Sequence, residues 1–185
     1  MSGHSHWSGI KRKKEITDKK RGTLFSKLLN SVTIAAKKAP NPQFNPTLRS
    51  AIEKAKENNV PQDNIEKAVK RASEKADNLE ELVMEAYGPE GTAILIEAIT
   101  DSKNRTVAET KKFLSDHESK WADPGSVLWA FDKNADERGL DADLRGWKPK
   151  FKQEISAAAK KKLKALIDEL ESHDDIQKVT TNTTF

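Results

Sequence analysis

The chain contains no cysteine. That excludes disulfides, thiolate metal sites and cysteine nucleophiles, and it fits a reducing compartment. Hydrophobic residues make up only 35% of the chain and charged residues 34%, so small cores and much solvated helix are expected. No apolar run approaches membrane-spanning length; the strongest is Ala93-Ile94-Leu95-Ile96. The opening residues lack the apolar stretch of a secretory signal and the amphipathic apolar face of a transit peptide. A cytoplasmic protein without a membrane partner is therefore expected. There is no GxSxG elbow, no P-loop, no HExxH and no clear His–carboxylate–nucleophile set. Gly88-Pro89-Glu90-Gly91 is too short for a phosphate loop and reads as a turn. The expectation is a non-enzyme with no cofactor and no metal.

What is abundant is positive charge at the front. Residues 1–76 hold 17 Lys and Arg against 7 Asp and Glu, a net +10, whereas residues 77–185 carry a net −6. Such a split suggests one half that docks on a polyanion and one that does not. The charge is densest in residues 1–22, MSGHSHWSGIKRKKEITDKKRG, where Trp7 is nearly the only bulky apolar side chain. That segment cannot bury a core of its own. It is expected to be a mobile tail that orders on nucleic acid.

Hydrophobic spacing predicts a helix from about Thr23 to Lys38, with Leu24, Phe25, Leu28, Leu29, Val32, Ala35 and Ala36 on one face. Pro40 and Pro42 stop it. Asn45-Pro46 reads as an N-cap and first-turn proline for a second helix ending at Asn58-Asn59. Pro61 opens a third. Three short amphipathic helices should form one small bundle over residues 23–77.

From residue 78 the pattern turns to strands. Strands are expected at Leu82–Tyr87, Thr92–Thr100, Ser126–Phe131, Lys150–Ile155 and Ile176–Thr184. Helices are expected from Asn104 to about Asp116 and from Ser156 to about Ser172. After the leading strand the order is that of a ferredoxin-like split βαβ. Residues 132–149, polar and Asp-rich, form the joint between its middle strands. The fold class is thus α+β: a basic tail and three-helix bundle, then a ferredoxin-like α/β domain over 78–185 with an extra leading strand. Asp101, Asn104 and Arg105, at a strand-to-helix corner, read as capping rather than acid/base chemistry. His117 and His173, near helix ends, read as surface or capping residues.

These residues also resemble a family. GHSHW followed by IKRKK, DKKRG and LFSKL is similar to the start of YebC/PmpR proteins, related to the mitochondrial translational activator of cytochrome c oxidase. NPTLRSAIEKAKENNVPQDNIEKAVKRA resembles that family's second and third helices. YGPEGTAILIEAITDSKNRT, then GSVLWAF, resembles its central signature, and LKALIDELESHDDIQKVTTN its C-terminus. The resemblance implies a helical N-terminal domain and two α/β domains. It also implies a role in DNA-bound transcriptional regulation, or in translation, where members help ribosomes through proline-rich stretches. Two departures stand out. Residues 132–149 stand where the family inserts its third domain, so the chain looks like a shortened, two-domain version. His117–Asp123 replaces a Gly-rich stretch.

The candidate nucleic-acid interface comprises His4, His6, Trp7, Lys11, Arg12, Lys13, Lys14, Lys19, Lys20 and Arg21 in the tail. Lys27, Arg49, Lys54, Lys70 and Arg71 extend it onto the bundle. Lys and Arg neutralise phosphates, and Trp or His can stack on unpaired bases. The plainer reading of the tail is a solubilising appendage. Ser2-Gly3-His4 could form an amino-terminal copper or nickel triplet if Met1 were removed, but nucleic-acid contact by His4 is the reading adopted. The function expected first is non-enzymatic translational regulation through rRNA or the ribosome. DNA-binding transcriptional regulation comes second, because the Lys-rich second and third helices carry only Arg49 and Arg71 and show no convincing base-reading face. A protein-interaction adaptor using the acidic half comes third. The sequence does not set the oligomeric state, and a monomer is the working expectation.

Overall fold

No proline occurs before Pro40, and the first helix occupies nearly that whole interval. In the computed structural model α1 runs from Gly3 to Lys38, about 54 Å at 1.5 Å per residue. The structure describes residues 3–72, 78–133 and 146–184; for residues 3–17 and for Lys19 it describes the backbone alone. The helix expected from Thr23 therefore begins twenty residues earlier, and the basic segment expected to be a separate tail is its N-terminal part. Lys, Arg and Glu are good helix formers, and extending a helix that tertiary packing has already nucleated costs little per residue.

Asn45 shows how α1 gives way to α2 (Pro46–Glu57). Its buried amide donates to the Ala35 and Ala39 carbonyls at 2.7 and 2.8 Å, while its side-chain oxygen accepts from Leu48 N at 3.0 Å. One side chain thus ties off the end of α1 and caps α2. Asn58 is the C-cap of α2, followed by Asn59 at φ 59°, a left-handed position that asparagine tolerates better than most residues. Helix α3 (Gln62–Arg71) follows Pro61. Leu28, Val32, Ala35, Ala36, Leu48, Ala55, Val60, Ile65 and Ala68 form the shared core. Buried Thr33 donates to the Ala68 carbonyl at 3.1 Å. The boundary expected at residues 76–77 lies outside the described residues.

Strands β1 (Glu80–Tyr87) and β2 (Ala93–Thr100) form an antiparallel hairpin in full register from Glu80↔Thr100 to Tyr87↔Ala93. Glu90, at φ 56°, turns the chain between them. Its carboxylate accepts from the Ser156 hydroxyl and amide, which holds the Glu90 carboxyl below its ordinary value. Helix α4 (Lys103–Asp116) leads to β3 (Lys120–Ala122), which pairs antiparallel with β1. β3 lies within residues 117–123, and Glu118 there takes φ 56°. Strands β4 (Phe131–Lys133) and β5 (Trp147–Pro149) form a separate two-stranded ribbon; residues 134–145 of the expected joint lie outside the described residues. Helix α5 (Ala157–Ser172), capped by the Ser156 hydroxyl, leads to β6 (Ile176–Thr181). The sheet order is β3-β1-β2-β6.

The class is α+β, but the topology departs from the expected one. Since β1 is antiparallel to both β2 and β3, β2–α4–β3 is a split βαβ unit with β1 between its parallel strands. The leading strand is thus central rather than extra. It fills the slot next to β2 that Lys150–Ile155 was expected to take, and β6 holds the other edge of β2. With no slot left, residues 150–155 make only the bridge Gln153↔Thr183. Ser126–Phe131, also expected as a strand, is instead a 3₁₀ turn at Leu128–Ala130 leading into β4. Asn104 lies inside α4. Ser102 holds the N-cap position, without a side-chain cap, and its amide donates to Thr100 Oγ1 at 2.9 Å.

One face of the sheet (Met84, Ala86, Ile94, Ile96, Ala98) packs on Leu114 of α4 and Leu163, Leu166 and Leu170 of α5. The opposite face (Ala93, Leu95, Ala122) packs on Val127, Ala130 and Phe131, with Trp147 alongside. Where β2, α4 and β6 meet, Asp175 accepts from Thr106 (2.7 Å), Arg105 (2.8 Å) and Thr100 (3.1 Å), and Arg105 also reaches Asp101. Burial pushes the Asp175 carboxyl up, but these donors outweigh it and hold the carboxyl below its ordinary value.

Candidate nucleic-acid interface

Helix α1 is the element that organises the predicted cations. His4, His6, Trp7, Lys11, Arg12, Lys13, Lys14 and Lys19 sit on its backbone, but the placement of their side chains lies outside what is described. Asp18, Lys20, Arg21 and Gly22 are exposed, and the Arg21 guanidinium stands 5.1 Å from the centre of the Phe25 ring. The structure thus joins the basic run to the bundle through one continuous helix.

Lys27 is placed elsewhere. Its ammonium donates to the Glu171 carbonyl at the α5–β6 corner. Burial there lowers its pKa, and the Glu171 and Asp174 carboxylates offset part of that shift. Thr23 donates to Asp174 at 2.7 Å, Ser31 contacts Gln177 at 3.2 Å, and Lys37 reaches the Leu79 carbonyl at 2.8 Å. These contacts seat α1 on the sheet-bearing part and engage the Lys27 ammonium with the α5–β6 corner.

The remaining predicted residues lie on α2 and α3. Arg49 lines a groove of about 440 Å³ between those helices, with Ile52, Ile65 and Val69 as apolar lining and Lys56, Glu53 and Glu66 beside it. Two cations and two carboxylates leave the groove without a net charge to attract phosphate. Lys54 is half-buried, while Lys70 and Arg71 are exposed at the end of α3. The predicted cations therefore fall at separate stations along the helical part rather than in one pocket.

A second surface was not predicted as a site. Buried Glu85 on β1 accepts three backbone amides, from Gly125 at 2.5 Å, Val127 at 2.7 Å and Leu128 at 3.0 Å. That carboxylate wraps residues 125–130 into the turn observed in place of a strand. The turn presents Trp129, 63% exposed, whose Nε1 donates to the Ser126 carbonyl at 2.8 Å. Phe151, 44% exposed, stacks on Trp129 with ring centres 5.5 Å apart. Lys148, Lys150 and Lys152 are exposed and flank Phe151 along the chain. The alternation Lys148-Pro149-Lys150-Phe151-Lys152 is visible in the sequence, but placing it beside Trp129 requires the ribbon pairing of β4 with β5.

Among the described residues, no group of three or more His, Asp or Glu is placed to hold a metal. None of the described helices is long and apolar enough to cross a membrane. Glu109 and Glu169 carboxylates meet His173 and His117 across α4 and α5 at 2.7 and 2.5 Å. These are packing contacts between helices: both histidines hold the C-cap positions of α4 and α5 but are half-buried rather than surface residues.

Comparison with known proteins adds a family. The model of the TACO1/YebC protein N-terminal domain matches residues 5–75, and that of the TACO1/YebC second and third domain matches residues 79–136. A protein of Thermoanaerobacter pseudethanolicus named "Probable transcriptional regulatory protein" is 48% identical over 136 residues, covering 72% of this chain and 55% of that protein. A protein of the same name from Pelodictyon phaeoclathratiforme is 46% identical over 136 residues, covering 72% of this chain and 54% of its own length. The chain thus spans about half the length of the curated relatives it matches. The crystal structure of a conserved hypothetical protein from Aquifex aeolicus superposes with a TM-score of 0.80 at 28% identity, covering 89% of this chain and 90% of that one.

Proposed function

The chain belongs to the TACO1/YebC family, and from that premise we propose that it is a non-enzymatic, nucleic-acid-binding regulator of gene expression that acts on the ribosome. The supporting observation is the continuity of α1. Its C-terminal half is fixed in the bundle core and against the α5–β6 corner, and its N-terminal half carries Lys11, Arg12, Lys13, Lys14, Lys19, Lys20 and Arg21. A basic helix anchored at one end suits insertion along folded RNA, where phosphates line both walls of a groove. Trp7 and the two histidines near the start of the helix add groups that stack on unpaired bases. Its action there is to help elongation through difficult, proline-rich sequences.

The second reading, a DNA-binding transcriptional regulator, draws on the names of the relatives. Against it, the α2–α3 pair presents a groove of mixed charge in which Arg49 is the one arginine among the described residues, a poor base-reading surface for a major groove. Co-sedimentation with ribosomes, set beside binding to random duplex DNA at the same salt, separates the two. Ribosome binding that persists at a salt where duplex binding is lost is expected. Duplex binding with no ribosome binding would reverse the order, and binding to neither would favour a protein-interaction adaptor.

A further inference from the structure

We propose that Trp129 and Phe151, with Lys148, Lys150 and Lys152 around them, form a stacking platform for single-stranded RNA, separate from the basic helix. The proposal rests on the RNA reading above and assigns it a second contact on the sheet-bearing part.

Two observations make these rings a built surface rather than stray exposed aromatics. The first is that Trp129 is held in place. Its indole nitrogen is bonded to Ser126 O, and the Tyr87 hydroxyl donates to that same carbonyl at 3.0 Å. The turn beneath is tied by three amides to the buried Glu85 carboxylate, which is only 6% exposed. The effect of a carboxylate so placed is to fix the backbone that carries the indole. A pre-positioned ring loses little freedom when a base stacks on it.

The second observation is the charge around the rings. Lys133, Lys148, Lys150 and Lys152 are exposed on the ribbon and the segment after it, against Asp132 and Glu154. Lys150 meets Asp132 at a loose 3.4 Å, and Lys133 lies over the Trp147 ring at 5.8 Å. Alternating rings and cations match a polynucleotide strand, whose base faces and phosphates also alternate. The match favours a single strand, because a duplex keeps its base faces stacked inside. RNA is the strand that presents unpaired bases most often. The patch also sits in the half of the chain with net charge −6, so it is a local exception to its surroundings.

The test is fluorescence anisotropy of a labelled oligouridine with the full chain, across a salt series. Trp129→Ala and Phe151→Ala should each lower affinity by about 5- to 100-fold with little change in the salt slope. Trp129→Phe should keep most of the affinity. Lys148, Lys150 and Lys152 changed together to Gln should make the log–log salt slope shallower by about 0.7 for each phosphate no longer neutralised. Melting temperature should stay near the parent's in Phe151→Ala, which removes a ring outside the core. Parental affinity in both alanine variants, or no oligouridine binding by the parent, would overturn the platform. An equal loss on duplex DNA would also overturn it, because stacking on a free base would not be the cause. Ribosome co-sedimentation keeps the two proposals apart: platform variants that sediment and bind oligouridine like the parent sink the platform alone, while a parent that binds oligouridine through the two rings but does not sediment with ribosomes sinks the ribosomal reading alone.

Discussion

Gly22 marks the point where the basic half of α1 meets its buried half, and it offers a direct handle on whether that half works as a helix. The position is exposed, and a Cβ added there meets nothing within 4 Å. Gly22→Ala should therefore stabilise the helix by about 0.5–1 kcal/mol without any packing cost. Gly22→Pro should cost about 3 kcal/mol in a continuous helix, because it removes one amide donor and clashes with the carbonyl four residues back. The cheapest escape is for the helix to start at position 22, where proline is tolerated as a first-turn residue, leaving residues 3–21 non-helical. Far-UV circular dichroism reads this as a loss of about half of α1. RNA affinity should follow: up to about 2–5-fold tighter for Gly22→Ala, by converting that free energy, and weaker for Gly22→Pro. Thermal unfolding of the cores should change little in either. Unaltered helicity and RNA affinity in Gly22→Pro would refute the continuous, functional helix.

Asp175 predicts an acid dependence. Its folded pKa lies below its unfolded value, so its contribution is fully present above the unfolded pKa of about 3.9 and is lost as pH falls through the folded one. Asp175→Asn should lower the melting temperature at pH 7 and flatten its fall between pH 5 and 3; an unchanged acid profile would contradict the corner network. Leu163→Ala, at a fully buried site under the sheet, should destabilise by about 2–5 kcal/mol in urea titration, and a cost below about 1 kcal/mol would mean α5 is not packed as described. Replacing residues 134–146 with a short Gly/Asn turn should keep the melting temperature, because Lys133 already pairs with Trp147 across the ribbon.

Local signals carried much of the fold. Asn45-Pro46, Ser156 and the three- and four-residue apolar spacing of α5 lie where short-range chemistry dictates structure, and each is found as expected. What failed depended on distant partners. Val127 to Phe131 has the composition of a strand, yet Glu85, some forty residues earlier, captures its amides. Residues 150–155 alternate like a strand, but β1 already occupies the slot beside β2. The basic segment looked unable to fold because it buries nothing, whereas a helix anchored further along can continue through it. The same limit hid the second surface. Lys27 reads as a solvent-facing cation until Glu171 is brought to it, and Trp129 reads only as part of a strand until the ribbon sets Phe151 against it.

The measurement closest to the central claim is the salt dependence of RNA binding when Lys11, Arg12, Lys13 and Lys14 are all replaced by Gln. The four positions lie N-terminal to every core residue of the bundle, so the melting temperature should hold. If all four meet phosphate, the slope for single-stranded RNA should become shallower by about 0.7 per contact, and both RNA affinity and ribosome co-sedimentation should fall. A variant that keeps the parent's affinity, slope and ribosome binding would contradict the claim, and the basic half of α1 would be a solubilising extension.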